Sequence, residues 1–208
     1  MALSDMKLAR SLLGSLSAVV LACGAGAAPA DEGPRGRWGR VQLIEHVASG
    51  LSRLVDDVVV VTRGSARVPV RLGRGLRVVR DCRDAGRPMT SLAAGLAGCR
   101  HPSAFVCAFD MPLIEPDLVA RLAEAAAGYE AAVPRWQGRL QPLCAVYTRR
   151  VAGVIERLVD ERRPALEELF TIVPTRFLLE DEVRAVDPKG RSFCGVGAGG
   201  GRRAVKGG

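Results

Sequence analysis

Residues 104–119 read AFVCAFDMPLIEPDLV, and this stretch indicates the fold of the chain. Its first six residues form a continuous apolar run of strand length, which is typical of a strand buried on both faces of a parallel sheet. Asp110 ends the run. Pro116 then stands where a helix favours proline, in its first turn, and Asp117 beside it suits the helix dipole. The stretch predicts a buried strand, a turn that carries a carboxylate, and a helix from Pro116 to about residue 127.

Strands and helices alternate in the same way along the rest of the chain. Continuous β-branched or apolar runs predict buried strands, and apolar residues at helical spacing predict helices between them. This order is typical of βαβ units and predicts an α/β fold on a mostly parallel sheet. The predicted strands are 17–22, 58–61, 77–80, 104–109, 131–134 and 143–148, and the predicted helices are 41–55, 91–99, 116–127, 149–159 and 164–170.

The N-terminal segment has two interpretations. Basic residues precede the apolar stretch 12–22, and the sequence VLAC at 20–23 resembles a lipoprotein cleavage box whose thiol, Cys23, would be lipidated. Alternatively, residues 17–22 are a buried first strand that ends in a glycine-bearing turn. A short apolar run alone does not decide between the two. The alternation that follows favours the strand.

Length and composition fit one domain. The chain has 208 residues, of which 48% are hydrophobic, and this is enough for a single packed core. We expect a domain over 15–194, an N-terminal extension over 1–14, and a disordered Gly/Arg-rich tail over 195–208.

The chain is basic, with a net charge of +8 and a pI near 9.7, and only three of its 30 basic residues are lysines. Arginine favours phosphate or carboxylate partners. Five Phe, two Trp and two Tyr are too few for a base-stacking surface, which argues against nucleic acid. Pro69, Gly73 and Gly75 interrupt an arginine-rich stretch, which we interpret as a basic loop or a solvated surface. Its arginines are Arg63, Arg67, Arg71, Arg74, Arg77 and Arg80.

The six cysteines are scattered and form no CxxC pair or Cys/His cluster. Cys82, Cys107 and Cys144 lie within or beside apolar runs, which favours buried, reduced thiols in the cytoplasm over disulfides or a zinc site. The two histidines provide no metal constellation, and His46 is expected on a helix surface.

Ligands of open α/β sheets collect at the carboxyl ends of the strands, and three places there carry chemistry. The turn after the first strand has small residues, so that backbone N–H groups can approach a phosphate closely. Asp81 and Asp110 each follow a predicted strand, and a carboxylate there can hold Mg²⁺ on phosphate oxygens. The sequence contains no P-loop, and no GxGxxG follows the first strand.

An ordered series of segments resembles the molybdenum cofactor guanylyltransferases, within the wider nucleotidyltransferase group. The resemblance covers roughly residues 15–193, and FDMPLIEPDL around Asp110 is its most specific part. It implies a three-layer, Rossmann-like nucleotidyltransferase fold with helices on both faces of the sheet. It also implies a cytoplasmic enzyme that transfers GMP from Mg-GTP to molybdopterin and releases pyrophosphate. The other segments are SAVVLACG, VQLIEHVASGL, DDVVVVT, VVRD, QPLCAVY and AVDPKGRSF.

The resemblance also implies roles for particular residues. Leu21, Ala22 and Cys23 would contact the nucleotide through their backbone, and Asp81 would face the guanosine. Asp110 would bind Mg²⁺ and act in catalysis. GTP and molybdopterin are the implied substrates, and molybdoenzymes or cofactor-delivery proteins are the implied partners, with no role for nucleic acid or a membrane.

The loops at the expected nucleotide site depart from the family's pattern, whose first loop reads roughly LAGG-x-S-x-R-M-G-x-D-K. Its arginine, acidic residue and lysine fall on Ala28, Glu32 and Gly33 of this chain. Val61 replaces an asparagine, and residues 87–91 read RPMTS in place of GPLAG. Further on, Gly195-Val196-Gly197 replaces an NVN-like segment.

Two hypotheses follow from these departures. In the first, the chain is an active guanylyltransferase in which Arg35, Arg37 or Arg40 replaces the missing lysine. In the second, it is a nucleotide- or molybdopterin-binding module of the same fold whose catalysis is impaired.

Overall fold

The structure is a computed structural model that describes residues 12–22, 39–63, 75–82, 88–162, 165–196 and 202–204. The helices and strands of these residues follow one another in the alternation that the sequence predicts for an α/β domain. In chain order they are β1 (Leu16–Leu21), α1 (Arg40–Leu51), β2 (Asp57–Arg63), β3 (Leu76–Asp81), α2 (Pro88–Ala97), β4 (Ser103–Ala108), α3 (Pro116–Ala125), β5 (Ala131–Trp136), β6 (Arg139–Leu140), β7 (Cys144–Thr148), α4 (Val151–Asp160), α5 (Leu166–Ile172), β8 (Thr175–Leu178), α6 (Glu180–Arg184), a 3₁₀ turn (Arg191–Phe193), β9 (Cys194–Val196) and β10 (Arg202–Ala204).

The central sheet has the strand order β3-β2-β1-β4-β7-β5-β6, with β8 paired to β5. The first four strands in this order are parallel. β7 runs antiparallel between β4 and β5, whereas β5 and β8 are parallel to each other. The six predicted strands are confirmed. The prediction lacks β6, β8 and α6, because segments of two to five residues are too short to show a period.

Helices pack on both faces of the sheet, as the three-layer prediction requires. Ala18 and Val20 of β1 point into a core shared with α1 and α3, whereas Val19 and Leu21 point into a second core shared with α2 and α4. Every residue of β1 is buried, which explains its continuous apolar sequence and confirms the strand interpretation of residues 17–22.

Gly95 allows α2 to lie close against the sheet. A Cβ atom at this position would stand 2.5 Å from Cγ1 of Val19 and 2.9 Å from Cγ2 of Val61. Any side chain larger than hydrogen would therefore push α2 away from β1 and β2.

Two expectations about single residues need correction. The Cys82 side chain is exposed because it lies past the end of β3, whereas Cys107 and Cys144 are buried free thiols as expected. Arg77 lies in β3, in agreement with the predicted strand 77–80, but its side chain, expected in a basic loop or on a solvated surface, forms an ion pair with Asp57 at 2.5 Å.

The remaining boundaries concern the chain ends. β9 and β10 form a separate antiparallel pair, so that part of the Gly/Arg-rich tail is a strand. The domain limits 15–194 stay a prediction. Among the described residues, no helix is both long and apolar enough to cross a membrane.

Candidate functional site

The carboxyl ends of the four parallel strands lie side by side, and Val79, Val61, Leu21 and Ala108 form one row of paired residues across them. Asp81 of β3 and Asp110 after β4 each lie two residues beyond this row, as Cys23 does in the sequence after β1. Neighbouring strands are about 4.8 Å apart, so three spacings put the backbones of the two aspartates about 14 Å apart. Because Mg²⁺ lies only about 2.1 Å from its ligands, one ion cannot bind both carboxylates.

The end of β1 is fixed by its two neighbours. The Leu21 carbonyl accepts a hydrogen bond from the Phe109 amide at 3.2 Å, and the Ala22 amide donates to the Val61 carbonyl at 2.9 Å. The Ala22 amide is therefore already used within the sheet. Cys23 and the first loop, with Ala28 through Arg37, lie outside the described residues. Arg40 is the first residue of α1.

Asp110 lies in the turn that follows β4 and is half-buried. Burial raises the pKa of this carboxyl, and the hydrogen bond to its own backbone amide offsets only part of that rise. No lysine, arginine or histidine of the described residues forms an ion pair with it. Within the described part of the chain, Asp110 is thus a carboxylate near the strand ends that no cation neutralises.

This environment suits a magnesium ion that arrives with a substrate. The described residues contain no group of three or more His, Cys, Asp or Glu side chains that could hold a metal by themselves. Mg²⁺ commonly binds one or two carboxylates together with substrate phosphates and keeps several waters. Asp110, which no cation of the described residues neutralises, could supply the single carboxylate that such an ion takes from a protein.

Asp81 has a different environment, although it lies at the same edge. Its side chain is 4% exposed, and its Oδ2 accepts hydrogen bonds from Thr90 Oγ1 at 2.8 Å and Ser91 Oγ at 2.7 Å. Both hydroxyls come from the first turns of α2, which begins at Pro88. Asp81 also lines a cavity of about 210 Å³ between α2 and α4. Sequence reasoning missed these two hydroxyls, which stand where the family pattern has alanine and glycine.

The loop from Asp110 to Glu115 is held by two side chains from distant parts of the chain. Nε2 of His46 on α1 lies 3.2 Å from the Pro112 carbonyl oxygen, and the Glu115 amide donates to Ser192 Oγ at 2.9 Å. Neither contact has a signal in the sequence, because the residues are 66 and 77 positions apart. His46 was expected only on a helix surface.

Comparisons with known sequences point to one family. The sequence model of the family described as the MobA-like NTP transferase domain matches residues 18–173. A protein of Methanosarcina mazei named "Probable molybdenum cofactor guanylyltransferase" is 34% identical over 167 residues, which are 76% of this chain and 74% of that protein. The molybdenum cofactor guanylyltransferase of Desulfosudis oleivorans is 29% identical over 156 residues, 74% of this chain and 75% of that protein.

Solved structures share the fold. Molybdopterin-guanine dinucleotide biosynthesis protein A from Archaeoglobus fulgidus superposes with a TM-score of 0.70 at 22% identity, covering 87% of this chain and 92% of that one. The 2-C-methyl-D-erythritol 4-phosphate cytidylyltransferase of Thermus thermophilus gives a TM-score of 0.60 at 18% identity, covering 86% and 91% of the two chains. The predicted nucleotidyltransferase fold is confirmed.

Proposed function

The chain belongs to the family of MobA-like NTP transferase domains, and on that premise we propose that it transfers GMP from Mg-GTP to molybdopterin. In this reaction the terminal phosphate of the pterin attacks the α-phosphate of GTP. A new phosphoanhydride bond forms, the bond between the α- and β-phosphates breaks, and pyrophosphate leaves. The observation that carries the proposal is Asp110, a half-buried carboxylate at the carboxyl ends of the strands that forms no ion pair with any cation of the described residues.

Asp110 is proposed to bind the metal and to orient the triphosphate. Transfer of this kind needs positioning and charge neutralisation more than a covalent catalyst. When bound at Asp110, Mg²⁺ would neutralise charge on the phosphate oxygens. The carboxylate supplies a ligand at a fixed point of the sheet edge, because the adjoining Phe109 amide is hydrogen-bonded to the Leu21 carbonyl.

The nucleotide is proposed to lie across the ends of β1 and β2, between the two aspartates. Because their backbones are about 14 Å apart, the two carboxylates would contact different ends of the nucleotide. Asp81, ordered by Thr90 and Ser91, would face the guanosine. The backbone of Leu21, Ala22 and Cys23 would lie next to the phosphates in between.

A second candidate function rests on the first loop. Gly33 stands where the family has a lysine, and Ala28 where it has an arginine. Loss of one electrostatic donor can cost about 10²–10³-fold in rate. The chain would then be a nucleotide- or molybdopterin-binding module with impaired transfer, unless Arg35, Arg37 or Arg40 supplies the missing charge.

We further propose that the protein acts in the cytoplasm, where its product passes to molybdoenzymes or to proteins that deliver the cofactor. The buried free thiols of Cys99, Cys107 and Cys144 support a reducing compartment.

The test is the transfer of α-labelled GMP to molybdopterin, measured beside calorimetric binding of Mg-GTP. The wild type is expected to transfer label, and Asp110→Ala is expected to be slower by about 10²–10³-fold. Binding of Mg-GTP without any transfer by the wild type would favour the binding module. Equal and substantial transfer by both proteins would show that Asp110 is not the metal ligand.

A further inference from the structure

We propose that Asp187 and Ser192 are positioning residues that set the place of Asp110 through the loop 110–115. The inference rests on the proposed function, since it concerns how precisely the protein offers Asp110 to a metal-bound nucleotide. Asp187 and Ser192 are both buried. They act on the far end of the loop that begins with the metal ligand.

Asp187 organises a tight turn through its two carboxylate oxygens. Its Oδ1 accepts a hydrogen bond from the Arg191 amide and its Oδ2 accepts one from the Ser192 amide, each at 2.9 Å. Asp187 is 1% exposed and Ser192 is 0% exposed. A buried carboxylate that accepts two backbone N–H bonds holds those amides in a single arrangement, because any alternative would leave buried charge unsatisfied.

Ser192 connects this turn to the loop 110–115 by a hydrogen bond. Its Oγ accepts a hydrogen bond from the Glu115 amide at 2.9 Å. Glu115 is the N-cap of α3, and its own side chain forms no capping hydrogen bond. An ion pair of 3.3 Å between Arg191 Nη1 and Glu115 Oε1 joins the same two segments a second time. The C-terminal end of the loop is thereby tied to the turn at 187–192.

The turn at 187–192 packs against two aromatic side chains, Trp136 and Phe193. Gly190 has φ of +58°, and a Cβ atom there would stand 2.2 Å from Cε2 of Trp136. The Trp136 ring in turn packs on Phe193, with 5.7 Å between the ring centroids. Only glycine both adopts this φ readily and leaves room for the indole. The turn thus packs against Trp136, the last residue of β5 in the central sheet.

The loop needs such an anchor because it forms little regular structure itself. The Met111 amide bonds back to the Ala108 carbonyl, and Pro112 has no amide hydrogen to donate. Mg²⁺ requires nearly ideal octahedral geometry, and functional groups must be held within about 0.5 Å to be effective. Loss of the Ser192 contact should therefore weaken metal binding more than it weakens nucleotide binding.

The experiment compares Ser192→Ala with Ser17→Ala, which also removes a buried hydroxyl but at the amino end of β1, opposite to the carboxyl ends of the strands. Ser17 Oγ donates to Asp57 and accepts from the His101 amide, far from the loop. Binding of Mn²⁺ is measured by electron paramagnetic resonance with a non-hydrolysable GTP analogue present, and binding of the analogue alone by calorimetry. Exchange of the Glu115 amide is followed by NMR without ligands.

In Ser192→Ala we expect Mn²⁺ binding to weaken about 3- to 10-fold, the range that one lost hydrogen bond produces, with little change in metal-free nucleotide binding. The Glu115 amide should exchange at least about 10-fold faster. Ser17→Ala should leave all three values within about 2-fold. Asp187→Asn, which sets an NH₂ group against a backbone N–H, should reproduce the Ser192→Ala pattern.

Two results would overturn the proposal. One is an equal effect of Ser192→Ala and Ser17→Ala on Mn²⁺ binding, which would make the contact merely structural. The other is faster Glu115 exchange with unchanged Mn²⁺ affinity, which would separate the anchor from the metal site. If the wild type binds no Mn²⁺ with nucleotide, the proposed function itself fails, and the positioning role fails with it.

Discussion

Asp57 lies at the amino ends of the parallel strands and Asp110 at their carboxyl ends, and the surroundings of the two carboxylates differ. Asp57, at the start of β2, is 0% exposed. It accepts hydrogen bonds from Ser17 Oγ at 2.6 Å, Arg77 Nη2 at 2.5 Å and the Arg100 amide at 2.8 Å. Asp110, after the end of β4, forms no ion pair within the described residues. Among the described residues, Asp57 thus has both a charged partner and neutral hydrogen-bond donors, whereas no cation pairs with Asp110.

The pKa values of the two carboxyls express this difference. Burial raises the pKa of Asp57, but hydrogen bonds from Ser17, the Arg100 amide and Arg77, with the charge of Arg77, outweigh burial and hold that pKa below its ordinary value. Burial also raises the pKa of Asp110, and nothing comparable opposes it. Burial alone therefore does not fix the direction of the pKa shift, because the donors around each carboxyl decide whether its ionised form is stabilised.

The largest effect on stability is expected from Asp57→Asn. This variant leaves Arg77 without its carboxylate, and breaking a buried pair costs about 3–5 kcal/mol. Because the Arg77 side chain is 34% exposed and can regain water, we expect about 2–3 kcal/mol in urea unfolding. The control is Asp56→Asn next to it, whose side chain is 73% exposed and which should cost about 0.5 kcal/mol or less. Equal losses in the two variants would contradict the assignment of Asp57 as a structural carboxylate.

Acidification should remove the stabilisation by Asp57. Because the pKa of Asp57 is lowered in the folded state, the unfolded chain takes up its proton first as the pH falls. The difference in unfolding free energy between wild type and Asp57→Asn should be complete above about pH 4 and shrink below it. Urea midpoints of both proteins at pH 7, 5, 4 and 3 measure this. A difference that shrinks already between pH 7 and 5 would be inconsistent with a lowered pKa.

A smaller effect is expected at Asp81, which shares the edge of Asp110 but has internal donors like Asp57. Ser91→Ala removes one of the two hydroxyls on Asp81 Oδ2, and a hydrogen bond to a charged group contributes about 1.5 kcal/mol. We expect the KM for GTP to rise about 5- to 10-fold with kcat nearly unchanged. Ser52→Ala, which removes an exposed hydroxyl bonded to the Ser49 carbonyl, is the control and should change neither value. A fall in kcat at unchanged KM would place Asp81 at the reacting phosphates instead of the guanosine.

The smallest effect is a gain of stability in Asp110→Asn without metal. The raised pKa means that ionised Asp110 costs folding free energy at neutral pH, and this cost disappears as the pH falls below the ordinary range of a carboxyl. The neutral amide should therefore stabilise the protein by about 0.5 kcal/mol or less at pH 7 and by nothing near pH 3. Urea unfolding at both pH values measures the difference. A loss of stability at pH 7 would mean that Asp110 has a stabilising partner within the protein.

The sequence was informative where a local pattern decides the structure. The buried strands are continuous apolar runs, so their positions and the place of Asp110 at the end of AFVCAF could be predicted. The sequence predicted a mostly parallel sheet but not the order of its strands. The position of β7 between β4 and β5 depends on contacts that no local pattern encodes.

The surroundings of the aspartates could not be predicted. Asp81 and Asp110 look alike in the sequence, each a carboxylate after a strand. Yet Asp81 is ordered by Thr90 and Ser91, whereas no hydroxyl of the described residues donates to Asp110. The support of the Asp110 loop by Ser192 depends on a contact across 77 positions. Such contacts follow from tertiary packing, which a single sequence does not display.

The most direct test of the account is the gain in GTP affinity that Mg²⁺ confers, measured by calorimetry with a non-hydrolysable GTP analogue. If Asp110, which pairs with no cation of the described residues, binds the metal of a nucleotide, the wild type should bind the Mg²⁺ complex at least about 10-fold more tightly than the metal-free analogue. Asp110→Asn should lose this gain, and Asp57→Asn should keep it at a temperature where both are folded. An undiminished gain in Asp110→Asn would contradict the account.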